Sequence, residues 1–548
     1  MPTIEISKKD ICELIGKKVS TEELGELLSF CKAEIESAEE DVLKIEVADV
    51  NRPDLWSTEG LAREIKAKIG KEKGIPKYKI SENGKYSVNV DIKLKNIRPL
   101  IVCAVVKNLK LNDNAIKQII QLQEKLCELF GRKRKEAALG IYNFDKIVWP
   151  ISYKTVTPDG IKFIPLELSE PMTPRQILQR HEKGREYSHL ISEFKEYPLL
   201  IDSAGNVLSM PPIINSEHTG KVTEKTKNVF IEVTGYDMRF IEPVLNVIVC
   251  ALAERGGEIE KVTVRPSNIV TPNFSEKRIE VTTEEINSII GEEIKKEEIL
   301  KLLGMARFDV VFEKTFNCKY MPYRRDIMDT RDVIEDIAIN YGYNKFKIQP
   351  LNLATKGKNS DEYKLSRKVA NFATGLRAQE IATFTLTSKE KLLKNMRLSL
   401  AEKVVEIANP ASENYSCLRN RLLPSVMEFL SKNTDSKFPQ RIFEIGTCIK
   451  IEGKKAQDRL RICFAISDAK TNFTEIRQAA EFLLRQLNVK DIKVIKVQNE
   501  SLIEGRGGKI LADNKEIGFL GEIHPAILEN WGLKMPVSAF EIDLSSFQ

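Results

Sequence analysis

The chain has 548 residues, enough for three to four domains, and its 42% hydrophobic and 30% charged residues are ordinary for a globular protein, which excludes disorder, collagen and coiled coil. The net charge of +6 (85 Lys and Arg against 79 Asp and Glu) excludes nucleic-acid binding by bulk charge, though not by local basic patches. Four His argue against a multi-histidine zinc centre, and nine Cys without a CxxC pair read as buried thiols of a reducing, cytoplasmic compartment. In chain order, Ile4–Leu28 predicts a short strand, an amphipathic helix capped by Ser7, a Gly turn at Gly16 and a second helix. NRPDLWSTEGLAREI (Asn51 to Ile65) follows. From Lys95 to about Pro266, β-rich runs such as IRPLIVCAVVKNL mix with helical ones, which predicts an α+β domain. VLNVIVCALA from Val244 is too short to span a bilayer, and RPSNIVTPNF from Arg265 reads as a linker. Ile279–Leu303 then repeats Ile4–Leu28 without a gap, with Thr282 as the cap and Gly291 on Gly16. YRRDIMDTRDVIEDI (Tyr323 to Ile337) parallels Asn51–Ile65, with Asp326 on Asp54. Beyond Pro350, strands alternate with helices as in a mostly antiparallel α/β domain.

Two segments carry candidate chemistry. Asp332, Glu335 and Asp336 stand at i, i+3 and i+4 on one helix face, with Asp326 and Asp329 close before them. Oxygen-rich clusters suit Mg²⁺ or Ca²⁺, but on spacing alone a solvated acidic face, or neutralisation by Arg324, Arg325 and Arg331, is the commoner arrangement. In the first copy the equivalents are Asp54, Gly60, Arg63 and Glu64, so any metal is expected at the second copy only. The other segment runs from Leu199 to Thr234. Ser209 precedes the rigid Met210-Pro211-Pro212, and Ser216, His218 and Thr219 follow. No GxSxG elbow supports a serine nucleophile, so hydroxyls that orient a water or bind a polar ligand end compete with a plain turn region. GRKRKE (Gly131 to Glu136) could meet phosphate or be a solvated helix end, and GRGGK (Gly505 to Lys509) reads as a hairpin turn.

The strings NRPDLWSTEGLARE, LGIYNFDKI, HEKGREYSHL, YPLLIDSAGNVLSMPPIINSEHTG, IEVTG, YRRDIMDTRDVIEDIAINYGYN, NPASENYSCLRNRLLPSVMEFL and FEIGTCI resemble, in order, the phenylalanyl-tRNA synthetase beta-subunit family in its shorter archaeal and eukaryotic form. The resemblance implies a multidomain α+β chain. Duplicated small winged-helix-like modules occupy 1–90 and 267–348, an editing-type α+β domain 91–266, and a class II synthetase-like antiparallel domain without its own chemistry 349–548. It implies an alpha subunit as partner in a tetramer of two alpha and two beta chains, with ATP bound by alpha, and tRNA for phenylalanine as a further partner. It also implies Mg²⁺ at Asp326, Asp332, Glu335 and Asp336, shared with alpha, and an editing pocket for mischarged Tyr-tRNA built from Leu200, Ser209, Glu232 and Thr234. The family often has Asp where Glu232 stands. A free-standing trans-editing or RNA-binding scaffold protein is the alternative.

Overall fold

A computed structural model describes residues 2–453 and 455–547, with the side chains of 82–84 set aside. The chain divides into two compact units, Met1–Gln349 and Pro350–Gln548.

The two copies of the repeat fold alike in the first unit, because the signals that start and stop their elements are local. Thr3–Ser7, Val42–Val47 and Ala33–Glu39 form a three-stranded antiparallel sheet with the first-listed strand paired to Val42–Val47. Lys277–Val281, Phe316–Tyr320 and Asp309–Phe312 repeat that order. Ser7 Oγ accepts from the N–H of Asp10 (3.0 Å), and Thr282 Oγ1 accepts from the N–H of Glu285 (3.1 Å), so each first helix begins on a side-chain cap. Each helix ends on a left-handed glycine, Gly16 at φ 72° and Gly291 at φ 80°, a conformation that a Cβ disfavours.

Between the copies stands a ten-stranded mixed sheet. Its main path runs Ile214–Asn215, Val207–Met210, Tyr197–Ile201, Ile151–Val156, Ile80–Val90, Glu258–Arg265, Leu100–Lys107, Val229–Gly235, Ala137–Asn143. Asp113–Lys125 and Met238–Glu254 pack on one face, around Val102, Ala104, Ile231 and Val233. The opposite face holds Cys103, Tyr142, Tyr153, Leu200 and Phe230. The two ends of the sheet approach each other, where Asn215 Nδ2 donates to the Ile141 carbonyl (3.4 Å).

Two expected boundaries shift. Ile80–Val90 pairs in parallel with Glu258–Arg265 and Ile151–Val156, so this sheet begins before residue 91. The segment read as a linker contributes Ile269–Thr271, antiparallel to Glu258–Arg265, and extends the sheet beyond residue 266. Thr271 Oγ1 donates to the Cys103 carbonyl (2.7 Å) and accepts from the Cys103 N–H (2.9 Å), which docks it firmly.

In the second unit, seven strands make one sheet. It is antiparallel except where Gln379–Glu380 lies parallel to Gln440–Glu452. Asp361–Gly375 and Phe473–Gln486 cover one face, and Leu423–Ser431 and Pro525–Asn530 the other. GRGGK is not a hairpin turn. It lies inside the strand Leu502–Ala512, which is irregular between Leu502 and Gly507. Among the described residues, no helix is long and apolar enough to cross a membrane.

Candidate functional site

The meeting ends of the central sheet enclose a cavity of about 400 Å³. Its walls are largely apolar, with Leu109, Ile116, Ile119, Leu139, Ile141 and Ile213 among them. Ser209 and Glu232 also line it, and both are almost fully buried. Strand alternation turns Phe230, Glu232 and Thr234 to one face of Val229–Gly235. Glu232 Oε1 accepts from the Tyr142 hydroxyl at 3.0 Å. Its Oε2 has no hydrogen-bond partner among the described residues, and Ser209 Oγ, beside the Tyr142 hydroxyl, makes no hydrogen bond of good geometry. Gly140 stands opposite Glu232 in register, and a Cβ there would meet Tyr142 Oη at 2.2 Å and Glu232 Oε1 at 2.8 Å. The missing side chain therefore makes room for the pair.

Burial raises the Glu232 carboxyl from 4.5 to about 7, against the opposing pull of the Tyr142 hydrogen bond and the Arg98 charge. Two unpartnered polar atoms in an apolar pocket favour a ligand that brings a polar group of its own.

The other two expected pocket residues stand apart from the cavity. Leu200 pairs with Ser209 across neighbouring strands but is packed into the core with Tyr153 and Phe230. Thr234 Oγ1 accepts from Arg98 Nε at 2.9 Å, and its carbonyl accepts from Arg98 Nη2 at 2.5 Å. The buried Arg98 also holds the carbonyls of Arg134 and Lys135. Thr234 thus anchors the turn that leads into the cavity wall. Sequence reasoning missed Gly140, Tyr142 and Arg98. The first two lie in LGIYNF, where a glycine inside a strand pattern signals close approach.

The acidic helix Thr330–Tyr341 is the second candidate. Arg324 grips Asp326 through Nε (2.9 Å) and Nη2 (2.5 Å), and Nη2 also reaches Asp336 at 2.7 Å. Burial pushes Asp326 up, but Arg324 and Arg52 outweigh it and hold the carboxyl at about 2. Asp332 is the capping-box residue, and its Oδ2 accepts from the N–H groups of Met328 (2.7 Å) and Asp329 (2.8 Å). Glu335 Oε1 accepts from Lys32 Nζ at 2.7 Å. The first copy builds the same core: Arg52 donates to Asp54 at 3.0 and 2.8 Å and lies 3.6 Å from Glu64. Arg63, at the position of Glu335, donates to Asp54 at 3.1 Å. Arg52 and Asp326, 3.6 Å apart, link the copies.

All four expected ligands line one small pocket, but they do not converge as a four-carboxylate cage, because Asp326 and Asp336 are committed to Arg324. Among the described residues, no three His, Cys, Asp or Glu are arranged to hold a metal ion. Asp332 Oδ1 and Glu335 Oε2 accept no hydrogen bond among the described residues. Two hard oxygen donors suit Mg²⁺, which keeps several waters and takes one or two carboxylates. The residues fit a hydrated ion at this edge of the helix.

In the second unit, Glu444 is buried against Arg419 Nη1 (2.6 Å) and accepts from Thr383 Oγ1 at 2.7 Å. The Arg419 guanidinium stands where a Cβ on Gly446 would be, 2.3 Å away.

Comparison with known proteins bears on both units. The family described as "tRNA synthetase B5 domain" matches residues 279–343, and "Phenylalanyl tRNA synthetase beta chain CLM domain" matches 348–544. The phenylalanine–tRNA ligase beta subunit of Pyrococcus furiosus is 46% identical, covering 99% of both chains. That of Methanocaldococcus jannaschii is 40% identical over 99% of this chain and 100% of its own. A crystal structure of an N-terminal fragment of the Pyrococcus horikoshii beta subunit is 48% identical with a TM-score of 0.61, covering 62% of this chain and all of the fragment. With relatives of this identity aligned along nearly its whole length, the chain belongs to the phenylalanine–tRNA ligase beta-subunit family.

Proposed function

We propose that the chain is the beta subunit of a cytoplasmic phenylalanine–tRNA ligase and that its central cavity hydrolyses tRNA mischarged with tyrosine. The observation that carries the editing reading is the pair of buried, unpartnered atoms, Glu232 Oε2 and Ser209 Oγ, in an apolar cavity. A phenol hydroxyl satisfies both; a phenyl ring leaves both orphaned. The preference is the reverse of what a phenylalanine site needs, and a site built to bond a hydroxyl rejects the analogue that lacks one. The ionised carboxylate accepts a hydrogen bond from the phenol hydroxyl, Tyr142 fixes its first oxygen, and Ser209 meets the phenol oxygen. His181 lines the cavity but already accepts from the Lys183 N–H through Nδ1 (3.1 Å), and Ser209 and Glu232 are taken up by the phenol, at the far end of the side chain from the ester. Water is therefore the nucleophile at the ester, and the chain binds and orients.

Activation of phenylalanine with ATP and its transfer to tRNA belong to the alpha subunit, in a tetramer of two alpha and two beta chains. The Arg419–Glu444 pair fits a synthetase-like domain retained for packing. Mg²⁺ at the acidic helix would be held by Asp332 and Glu335, with Asp326 and Asp336 behind them on Arg324. It would supply charge compensation at a subunit contact. The relatives' designation as beta subunits disfavours a free-standing editing or scaffold protein. Phenylalanine-dependent ATP–pyrophosphate exchange tests the assignment. The purified chain should give none and should restore it on addition of alpha; exchange by the chain alone overturns the division of labour.

A further inference from the structure

A second concavity, of about 480 Å³, opens where the central domain meets both repeat copies. It is lined by Asn51, Phe130, Arg132, Arg239, Phe240 and Arg325, none of them a carboxylate. The Phe130 and Phe240 rings lie 5.6 Å apart, and the Arg132 guanidinium sits over Phe240 at 5.4 Å. Arg239 is held by Asp237 (2.6 Å) but keeps most of its side chain exposed. Arg325 makes no hydrogen bond or ion pair among the described residues, though its charge, after the Arg239 hydrogen bonds, helps hold Asp237 below its ordinary value and, after burial, pulls the neighbouring Lys277 down.

The backbone around Arg132 is strained. Arg132, Lys133 and Arg134 all have left-handed φ (51°, 54° and 63°), a run that non-glycine residues avoid. Such outliers persist where the surroundings over-determine them, and they cluster at functional sites. Here the strained turn faces two ways. Arg132 lines the basic groove, whereas Arg134 lines the central cavity, with Nη1 donating to the carbonyls of Pro212 (3.2 Å) and Ile213 (2.8 Å).

We propose that the Arg132–Arg239–Arg325 groove binds single-stranded RNA and leads the 3′ end of an aminoacyl-tRNA into the central cavity. Arg132 and Arg325, which lack carboxylate partners at ion-pair distance, suit phosphates, and the half-buried Phe130 and Phe240 rings offer aromatic surface for a base; the combination is that of a single-strand binding platform. The RNA class rests on the editing reading above, while the groove's affinity for RNA can be read without it.

The test uses the reconstituted alpha–beta complex with Arg132→Asn and Arg325→Gln combined, asparagine being tolerant of a left-handed position. Anisotropy titration of a fluorescent tRNA acceptor minihelix with a single-stranded 3′ end reads binding, and Tyr-tRNA hydrolysis reads KM and kcat. Lys110→Gln, exposed and outside the groove, is the control, and thermal melting checks the fold. Loss of two phosphate contacts should weaken minihelix binding about 10- to 100-fold and flatten the log–log salt dependence by about 1.4, at roughly 0.7 per contact for single strands. KM should rise in proportion, with kcat within about twofold. Unchanged affinity and salt slope overturn the groove, as does competition by an acidic peptide but not by the minihelix. Weakened binding in a complex whose wild type fails to hydrolyse Tyr-tRNA supports the groove and overturns the editing reading alone.

Discussion

Replacing Glu232 with Gln exposes the stability that the cavity gives up for its chemistry. Burial raises the carboxyl from 4.5 to about 7 in the folded chain. The folded state therefore binds more protons than the unfolded state between those values. The group's contribution to stability is complete below about 4.5 and is lost as pH rises through 7. At pH 8, holding the carboxylate ionised costs roughly 3 kcal/mol, each pH unit being worth about 1.4. Glu232→Gln is neutral at every pH and keeps an acceptor for Tyr142. It should stabilise the first unit by up to about 3 kcal/mol at pH 8 and by less than about 1 kcal/mol at pH 5. Denaturant unfolding of the full chain at the two pH values, wild type beside variant, measures the difference. A stability difference that does not grow from pH 5 to pH 8 refutes both the buried ionisation and the role built on it.

Tyr142→Phe removes the hydrogen bond that holds Glu232 Oε1 and favours its ionised form, so the pH midpoint of Tyr-tRNA hydrolysis should move up and kcat/KM should fall about 10-fold, the worth of one such bond. Gly140→Ala forces a Cβ onto Tyr142 Oη and Glu232 Oε1; Tyr-tRNA hydrolysis should be lost while the thermal midpoint shows the chain still folded. Arg324→Met strips the shared partner from Asp326 and Asp336 and should destabilise the first unit by about 3–5 kcal/mol at pH 7. Because Asp326 is held at about 2 rather than 3.8, its stabilisation is present above 3.8 and lost as pH falls toward 2, and the variant's deficit in denaturant unfolding should shrink over that window.

What the sequence made legible was local. Ser7, Thr282, Gly16 and Gly291 announce the ends of the paired helices because caps and left-handed stops act within a turn of the chain. The carboxylates of the acidic helix share a face for the same reason. Arg324 was legible as a counter-charge because it stands beside them in the chain, and it takes Asp326 and Asp336; Lys32 was not, because it reaches Glu335 from 303 residues away. Strand alternation aligns Glu232 with Thr234, yet only Glu232 reaches the cavity, since Arg98, from a distant segment, claims Thr234. Ile80–Val90 fell within the expected 1–90 module because its parallel partner, Glu258–Arg265, follows almost the whole domain later.

The decisive measurement is hydrolysis of Tyr-tRNA and Phe-tRNA by the reconstituted alpha–beta complex, with and without Ser209→Ala and Glu232→Ala together. The wild type should hydrolyse Tyr-tRNA at least about 100-fold faster than Phe-tRNA, since a site with buried acceptors rejects a substrate that lacks the hydroxyl. The double variant should lose that preference. Equal rates on the two substrates, or an unchanged preference in the variant, would contradict an editing role for the cavity.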